Sequence, residues 1–135
     1  MLVIDTDVIS YLFKLDTRGD IYKPHLRAQL LLISPMTRAE LEAWALEHKW
    51  GNRRREEMRI HLKHFMLVPF DEELCVKWAE ATDSARIVGR PISSSDAWVA
   101  AAALRYDVPL VTHNRTDYLG VANLKLISER SSSGT

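Results

Sequence analysis

The amino-acid sequence predicts an α/β fold of three layers, in which a central, mostly parallel sheet of about five strands is flanked by helices. Short continuous apolar runs alternate along the chain with longer amphipathic stretches. Continuous apolar runs are typical of strands that are buried on both faces, as in a parallel sheet. The chain has 135 residues, of which 47% are hydrophobic and 27% are charged, and this suffices for one globular domain with a core.

Five apolar runs are the predicted strands, and they cover residues 2–4, 30–33, 65–68, 108–111 and 124–127, of which the fourth contains Pro109 and the fifth is interrupted by Lys125. Alternation of strands with helices favours right-handed crossovers between parallel strands. None of the runs approaches the roughly 20 apolar residues of a membrane-spanning helix, so no membrane association is expected.

Helices are predicted between these runs. Thr6 or Asp7 would cap a first helix that ends at Phe13, and Pro24 suits the first turn of a stretch to about residue 30. A helix that opens at Thr37 is expected to reach about residue 50 and to end at Gly51, before another helix over residues 53–64.

Two further helices are predicted in the second half of the chain. Apolar residues recur at alternating spacings of four and three on one helical face, which ends at Gly89. The residues of this face are Leu74, Trp78, Ala81, Ala85 and Val88. Three serines then precede an alanine-rich helix from Asp96 to about Tyr106.

Residues 1–128 are predicted to form one domain, and the serine-rich residues 129–135 a flexible tail. The sequence shows no secretory signal, and its single cysteine, Cys75, cannot form an internal disulfide, so a cytoplasmic location is expected. Eighteen basic residues balance eighteen acidic ones, which argues against a uniformly basic nucleic-acid-binding surface but allows a local basic face.

Four carboxylates are expected at one edge of the sheet. Asp5 follows the first strand directly, and Asp117 lies a few residues after the fourth. Glu40 and Asp96 lie in the first turns of two predicted helices. Helices run opposite to strands in a parallel α/β fold, so these N-termini lie near the carboxyl edge of the sheet, where such proteins place their sites.

Clustered carboxylates need a compensating charge, because two of them about 4 Å apart repel by about 4 kcal/mol at an effective dielectric near 20. A site of oxygen ligands alone suits Mg²⁺, with Mn²⁺ as a substitute, and the histidines lack the spacing of a zinc motif. Each acid also has a simpler interpretation. Asp5 and Asp117 could form turns or caps, while Glu40 and Asp96 each stand three residues after a Thr or Ser that could open a capping box.

Four blocks of the sequence resemble the PIN-domain family, and most of all the VapC-type toxin ribonucleases of bacterial toxin–antitoxin pairs. The blocks are VIDTDVIS at residues 3–10, SPMTRAEL at 34–41, ISSSDAWVAAAA at 92–103 and LVTHNRTDY at 110–118. They occur in order, and the resemblance extends from residue 2 to about residue 127. It implies a PIN-like three-layer fold.

The resemblance implies a metal-dependent endoribonuclease that hydrolyses RNA phosphodiester bonds. Such a toxin inhibits translation or growth unless its cognate antitoxin protein binds it, and it forms a homodimer. The implied catalytic residues and ligands of Mg²⁺ or Mn²⁺ are Asp5, Glu40, Asp96 and Asp117.

The chain departs from the family pattern at several positions. Family members usually have Asn at the position of Asp7, which makes Asp7 an additional candidate acid. Many relatives have an acid where this chain has Asn114, and the acid stands here three residues later, at Asp117. A glycine often follows the second-block glutamate, whereas Trp44 and its neighbours follow it here.

Residues near the acids are predicted to contact RNA phosphates, and they are Thr112, His113, Asn114, Arg115 and Arg38. Residues 49–63 carry a local charge of +4, from six basic and two acidic side chains. Through Lys49, Arg53, Arg54 and Arg55 this face could guide RNA to the site. Equally, it could be a solvated helix face with pairs such as Arg53–Glu57.

Two alternative functions stay open. The first is a catalytically degenerate PIN domain that serves as an RNA- or protein-binding module. The second is a small phosphatase, because Asp5-Thr6-Asp7 after an apolar strand also resembles the first motif of haloacid-dehalogenase-like phosphatases. Exposed apolar residues on the early helices, such as Tyr11, Leu12 and Phe13, are candidates for the antitoxin or dimer surface, or for the core.

Overall fold

A parallel sheet of five strands forms the centre of the computed structural model, which describes residues 1–129. The strands are β1 (Leu2–Ile4), β2 (Leu31–Ile33), β3 (Met66–Leu67), β4 (Leu110–Val111) and β5 (Leu126–Ile127). Their order across the sheet is β3-β2-β1-β4-β5, and every neighbouring pair is parallel. The prediction of a mostly parallel sheet of about five strands is therefore confirmed.

Seven α-helices and one 3₁₀ helix connect the strands within the described residues. The α-helices are α1 (Thr6–Phe13), α2 (Thr17–Asp20), α3 (Lys23–Leu26), α4 (Pro35–Glu47), α5 (Asn52–Leu62), α6 (Glu72–Ile87) and α7 (Ser94–Tyr106). The 3₁₀ helix spans Arg115–Tyr118, between β4 and β5. None of the helices in residues 1–129 combines the length and the apolar character that crossing a bilayer requires.

Two hydrophobic cores lie on the two faces of the sheet. Successive side chains of a strand point to opposite faces, and accordingly Val3 packs in one core while Leu2 and Ile4 pack in the other. The first core includes residues of α6 and α7, and the second includes residues of α1, α4 and α5. This arrangement gives the three layers that the sequence predicts.

The edge strands are less buried than their apolar sequences predict. Met66 and Leu67 of β3 are 42% and 51% exposed, and both residues of β5 are half-buried. These strands have a neighbour on one side only, whereas β1 lies in the middle of the sheet and is buried throughout. A continuous apolar run predicts a strand, but it does not distinguish an edge strand from a central one.

The predicted capping box at Thr37 and Glu40 is wrong. Helix α4 starts earlier, at Pro35, and the Ser34 hydroxyl accepts a hydrogen bond from the Met36 N–H at 3.2 Å. Serine is a strong helix cap and proline suits the first helical turn. Thr37 therefore lies inside the helix, and Glu40 lies in its second turn.

Other helix ends also differ from prediction. Helix α1 is capped by Asp5, whose Oδ1 accepts from the Thr6 N–H at 2.7 Å, rather than by Thr6 or Asp7. Helix α3 is a single short turn that ends well before residue 30. Helix α4 ends at Glu47, and Lys49 takes the left-handed backbone conformation, with φ of 53°, in place of the predicted Gly51. Gly51 instead precedes α5.

The last two long helices agree with prediction except at their ends. Val88 lies beyond α6 and is 62% exposed instead of belonging to the buried face, and α7 starts two residues before the predicted Asp96. Gly89 follows α6 with φ of +73°, a conformation that glycine adopts without steric cost. The Ser93 hydroxyl accepts from the Asp96 N–H at 3.1 Å and so caps α7. Trp78 is half-buried and packs against the first core, as its helical spacing predicts.

Glu129 ends the described part of the chain. Its backbone N–H donates to the Tyr22 hydroxyl at 3.2 Å, and its side chain bonds to His25. The remainder of the predicted tail, residues 130–135, lies outside the described residues, and the domain boundary at residue 128 stays a prediction.

Candidate active site

Asp5 lies at the carboxyl end of β1 and is only 7% exposed. Its Oδ1 accepts from the Thr6 N–H at 2.7 Å, and its Oδ2 accepts from the Thr112 hydroxyl and the Tyr118 hydroxyl, both at 2.8 Å. Three donors from three parts of the chain thus fix the orientation of this carboxylate.

The pKa of Asp5 is raised from its ordinary value of 3.8 to about 7. Burial is the largest cause, since it disfavours the charged form, and the neighbouring negative charge of Asp7 raises the pKa further. The hydrogen bonds from Thr112, Tyr118 and Thr6 act in the opposite direction without cancelling these effects. Asp5 is therefore a buried acid whose hydrogen-bond donors within residues 1–129 are a backbone N–H and two hydroxyls, all of them uncharged.

Glu40 is held beside Asp5 through Thr6. Its Oε1 accepts from the Thr6 hydroxyl at 2.9 Å, and the same hydroxyl oxygen lies 3.0 Å from Thr37 Oγ1. Burial raises the pKa of Glu40, and the negative charge of Asp96 adds to this effect. The buried threonines thus join the start of α1 to the start of α4 and place Glu40 in the same cluster.

Asp96 lies in the first turn of α7 and reaches Asp5 through Tyr118, whose hydroxyl lies 3.4 Å from Asp96 Oδ1. Burial raises the pKa of Asp96, and the negative charge of Asp117 raises it further. Asp117 itself is exposed on the 3₁₀ helix. All four predicted acids therefore meet at the carboxyl edge of the sheet, with Asp117 on its outer side.

The four acids form a set of oxygen donors, which is the chemistry that a hard divalent cation prefers. Across residues 1–129, however, no three Asp, Glu, His or Cys side chains converge closely enough to hold a metal ion as they stand. Closing three of the carboxylates around one ion would need side-chain rotation. Metal binding by these residues therefore stays a prediction.

Asp7, the additional candidate acid, is saturated with hydrogen bonds. Its Oδ1 accepts from the Val8 N–H at 2.7 Å, and its Oδ2 accepts from the His113 N–H at 3.1 Å and from Asn114 Nδ2 at 2.9 Å. Burial raises its pKa to about 6, and the charge of Asp96 contributes. Asp7 thus ties α1 to the loop after β4. Asp7 and Asn114, two of the departures from the family pattern, contact each other directly.

The predicted phosphate contact of Thr112 is wrong. Thr112 is fully buried, its hydroxyl donates to Asp5, and its Oγ1 accepts from the Asn114 N–H at 3.1 Å. Its neighbour His113 is half-buried, with Nδ1 2.6 Å from the Tyr22 hydroxyl. Contacts of His113, Asn114, Arg115 and Arg38 with RNA stay predictions.

The basic face on α5 is partly neutralised. Arg53 pairs with Glu57 at 3.4 Å, and the Arg54 guanidinium lies 4.5 Å from the ring centre of Trp50. Arg55 is half-buried, whereas Lys49 is exposed. The Arg53–Glu57 pair predicted for a solvated face is present, and guidance of RNA by these residues stays a prediction.

Sequence reasoning did not identify Tyr118 or Thr6 as site residues. Both act through hydrogen bonds to acids that are distant in the chain, and such contacts leave no local periodicity. A signal was nevertheless present at Tyr118, because an aromatic residue directly follows Asp117 within an otherwise polar stretch.

Replacing Tyr118 with Phe should lower the free energy of unfolding by about 2 kcal/mol at pH 8, because hydrogen bonds to charged groups contribute roughly 1.5–3 kcal/mol. The loss should be smaller at pH 5, where Asp5 is largely protonated because its pKa is about 7. Urea unfolding at both pH values measures the effect, with Tyr106→Phe at the half-buried end of α7 as the control. Equal losses at both pH values would contradict the contact with ionised Asp5.

Residues 2–121 match the PIN domain, and the chain therefore belongs to the PIN-domain family. Among curated proteins it resembles Ribonuclease VapC1 of Haemophilus influenzae strain R2866, with 25% identity over 127 residues that cover 91% of this chain and 93% of that protein. Ribonuclease VapC1 of H. influenzae strain 86-028NP matches equally well. The family resemblance predicted from the four sequence blocks is confirmed, and it leaves no support for a haloacid-dehalogenase-type phosphatase.

Solved structures show the same fold. VapBC2 from Rickettsia felis, bound to a DNA fragment from its promoter, matches with a TM-score of 0.81 and 19% identity, covering 94% of this chain and 97% of that one. VapBC-1 from nontypeable H. influenzae matches with a TM-score of 0.78 and 23% identity, covering 94% and 96%. At these identities the likeness concerns the fold.

Proposed function

We propose that this protein is a metal-dependent endoribonuclease that hydrolyses RNA phosphodiester bonds as the toxin of a toxin–antitoxin pair. The observation that carries the proposal is the Tyr118 hydroxyl, which lies between buried Asp5 and half-buried Asp96 and so joins two acids that are distant in the chain. The curated relatives are named ribonucleases, and the structural relatives include VapBC complexes. These relationships support the reaction and the biological role.

Mg²⁺, or Mn²⁺ in its place, fits the oxygen donors of Asp5, Glu40, Asp96 and Asp117. When bound, such an ion activates water and offsets charge on the scissile phosphate. Burial is the largest cause of the raised pKa values of Asp5, Glu40 and Asp96, and the negative charge of a neighbouring acid raises each of them further. A divalent cation would supply a compensating positive charge.

The chain's own contribution is preorganisation of the acids. The hydroxyls of Thr112 and Tyr118 orient Asp5, and the hydroxyl of Thr6 orients Glu40. Asp7 holds the loop that leads to Asp117. These contacts keep the acids at one edge of the sheet, so that side-chain rotation alone would be needed to close them around an ion.

The proposed partner is an antitoxin that blocks the acids, and the proposed setting is the cytoplasm. A homodimer is also proposed from the family resemblance. Of the candidate surface residues, Tyr11, Leu12 and Phe13 are half-buried. Phe13 packs with its ring centre 5.7 Å from those of both Trp50 and His61, so it serves the second core at least in part.

Incubating the pure protein with mixed-sequence RNA should give cleavage with Mg²⁺ or Mn²⁺ and none with EDTA. A toxin that is selective for one RNA would still be stabilised by its metal. At 100 times the dissociation constant, the ion adds about 2.7 kcal/mol to the free energy of unfolding. If the protein shows neither RNA cleavage nor stabilisation by metal, the result would favour the alternative, a degenerate PIN domain that binds RNA or protein. The observation that favours this alternative is that, within residues 1–129, no three of these acidic side chains converge on one point.

A further inference from the structure

Three aromatic side chains, from α6, α7 and the segment before α6, form a row. Trp98 of α7 lies between Phe70 and Trp78, with ring centres 5.0 Å and 5.3 Å away. The Trp78 and Trp98 rings are stacked, at an interplanar angle of 28°. The Trp78 indole N–H donates to the Ser94 carbonyl oxygen at 3.2 Å, which fixes that end of the row.

The outer end of the row opens into a cavity. Its volume is about 210 Å³, its lining is almost entirely apolar, and Phe70 at its wall is 65% exposed. The lining residues are Ser34, Pro35, Met36, Ala39, Phe70 and Trp98. The cavity is smaller than the roughly 300–1,000 Å³ of pockets for drug-sized ligands, and its size suits one flat ring system.

The cavity and the candidate active site share two helices, α4 and α7. Met36 lies one turn before Glu40 on the same face of α4, a separation of about 5–6 Å between Cβ atoms. Trp98 lies two residues after Asp96 on α7. The Ser34 hydroxyl donates to the Trp98 carbonyl oxygen at 3.1 Å and so binds the start of α4 to α7. The same two helices therefore carry both the cavity and two of the acids.

From these contacts we infer that the cavity is a subsite for one unpaired nucleobase of an RNA substrate, which stacks on Phe70 and Trp98. The inference rests on the proposed ribonuclease function, because it assigns the neighbouring phosphodiester bond to the acids. Stacking on an aromatic side chain does not depend on which base is present. The lining offers few hydrogen-bonding groups, since the Ser34 hydroxyl is already used. The subsite thus selects single-stranded RNA over a duplex, with little preference among bases.

The test compares binding of short RNAs to variants of Phe70. Each variant is made with Asp96→Asn so that no RNA is cleaved, and Kd is measured in Mg²⁺ by fluorescence anisotropy. The probes are a labelled single strand of about ten nucleotides, the same sequence as a duplex, and the same backbone without bases. Phe70→Ala should weaken binding of the single strand about tenfold. Phe70→Trp should preserve binding, and Phe70→Leu should weaken it.

The control is Ile87→Ala, which removes an apolar side chain of similar exposure, 68%, from the end of α6. It should leave all three Kd values unchanged. A 4-thiouridine in the single strand should crosslink to peptides containing Phe70 or Trp98, as mass spectrometry would show. The inference is overturned if Phe70→Ala binds the single strand with the Kd of the parent, or if the parent binds no single strand. It is also overturned if Phe70→Ala weakens binding of the base-free backbone as much as it weakens binding of the single strand.

The outcomes separate this inference from the proposed function. If the protein with native Asp96 cleaves RNA but Phe70→Ala binds the single strand unchanged, the ribonuclease proposal stands and the proposed base subsite is wrong. If single-strand binding depends on Phe70 but the native protein cleaves no RNA in any metal, the site binds a base and the ribonuclease proposal is wrong.

Discussion

Asp96→Asn is expected to abolish metal-dependent RNA cleavage, with a loss of at least about 100-fold. Loss of a group that supports a metal site costs roughly 10- to 100-fold, and loss of a carboxylate at its centre should cost more. The charge of Asp96 acts on both Glu40 and Asp7, which places it centrally among the acids. Asn has nearly the same shape, and the cap from Ser93 to the backbone N–H of residue 96 is preserved.

The matched control is Asp83→Asn, which makes the same chemical change at an exposed carboxylate on α6 that pairs with Arg86 at 2.6 Å. This variant should cleave RNA at the parent rate. Rates are measured with fluorogenic RNA, and metal-dependent thermal stabilisation is measured alongside. Undiminished cleavage by cleanly purified Asp96→Asn would show that Asp96 is not required, and it would remove the central acid from the proposed site.

Without added metal, the protein should lose stability as the pH rises from about 4 to about 7. The folded-state pKa of Asp5 is raised to about 7, so the folded state retains a proton that the unfolded state releases near pH 4. Asp7, with a pKa raised to about 6, acts in the same direction. The stability contributed by protonated Asp5 is complete below pH 4 and is lost as the pH rises through 7. For Asp5 the loss is on the order of 4 kcal/mol.

In the variant Asp5→Asn, most of this loss of stability between about pH 4 and pH 7 should be absent. Asn carries no charge, and the hydroxyls of Thr112 and Tyr118 can accept hydrogen bonds as well as donate them. Urea unfolding in EDTA at intervals between pH 4 and pH 8 gives the two profiles. At pH 8 the variant should be more stable than the parent, even though it should be inactive. Parallel profiles would show that Asp5 does not titrate in this range.

The sequence predicts the sheet well because each strand is a continuous apolar run, and burial of such runs dominates the energetics of the fold. Helix starts are predicted less well. Thr37 looks like a cap from its spacing to Glu40, but its side chain instead contacts Thr6, which lies 31 residues away in the chain. Similarly, Lys49 adopts a left-handed conformation that the sequence favours at Gly51. Local patterns cannot register contacts between distant segments.

The gathering of the acids follows from topology, since strand ends and helix starts of a parallel fold share one edge. The groups that orient the acids do not follow from it. Thr112 looks like a phosphate contact because it ends a strand at that edge, but burial commits its hydroxyl to Asp5. Tyr118 was absent from the predicted site because its partner lies 113 residues away in the chain.

The order of the strands determines when during synthesis the site can form. Strand β1 lies in the middle of the sheet, and its neighbour β4 follows it in the chain only after β2, β3 and the helices α1 to α7. A nascent chain that has not yet produced β4 has Asp5 and Glu40 but lacks Thr112 and Tyr118, the side chains that hold Asp5 in place. Contacts between such distant segments also form slowly. The contacts that hold Asp5 can therefore form only after β4 and the 3₁₀ helix have been synthesised.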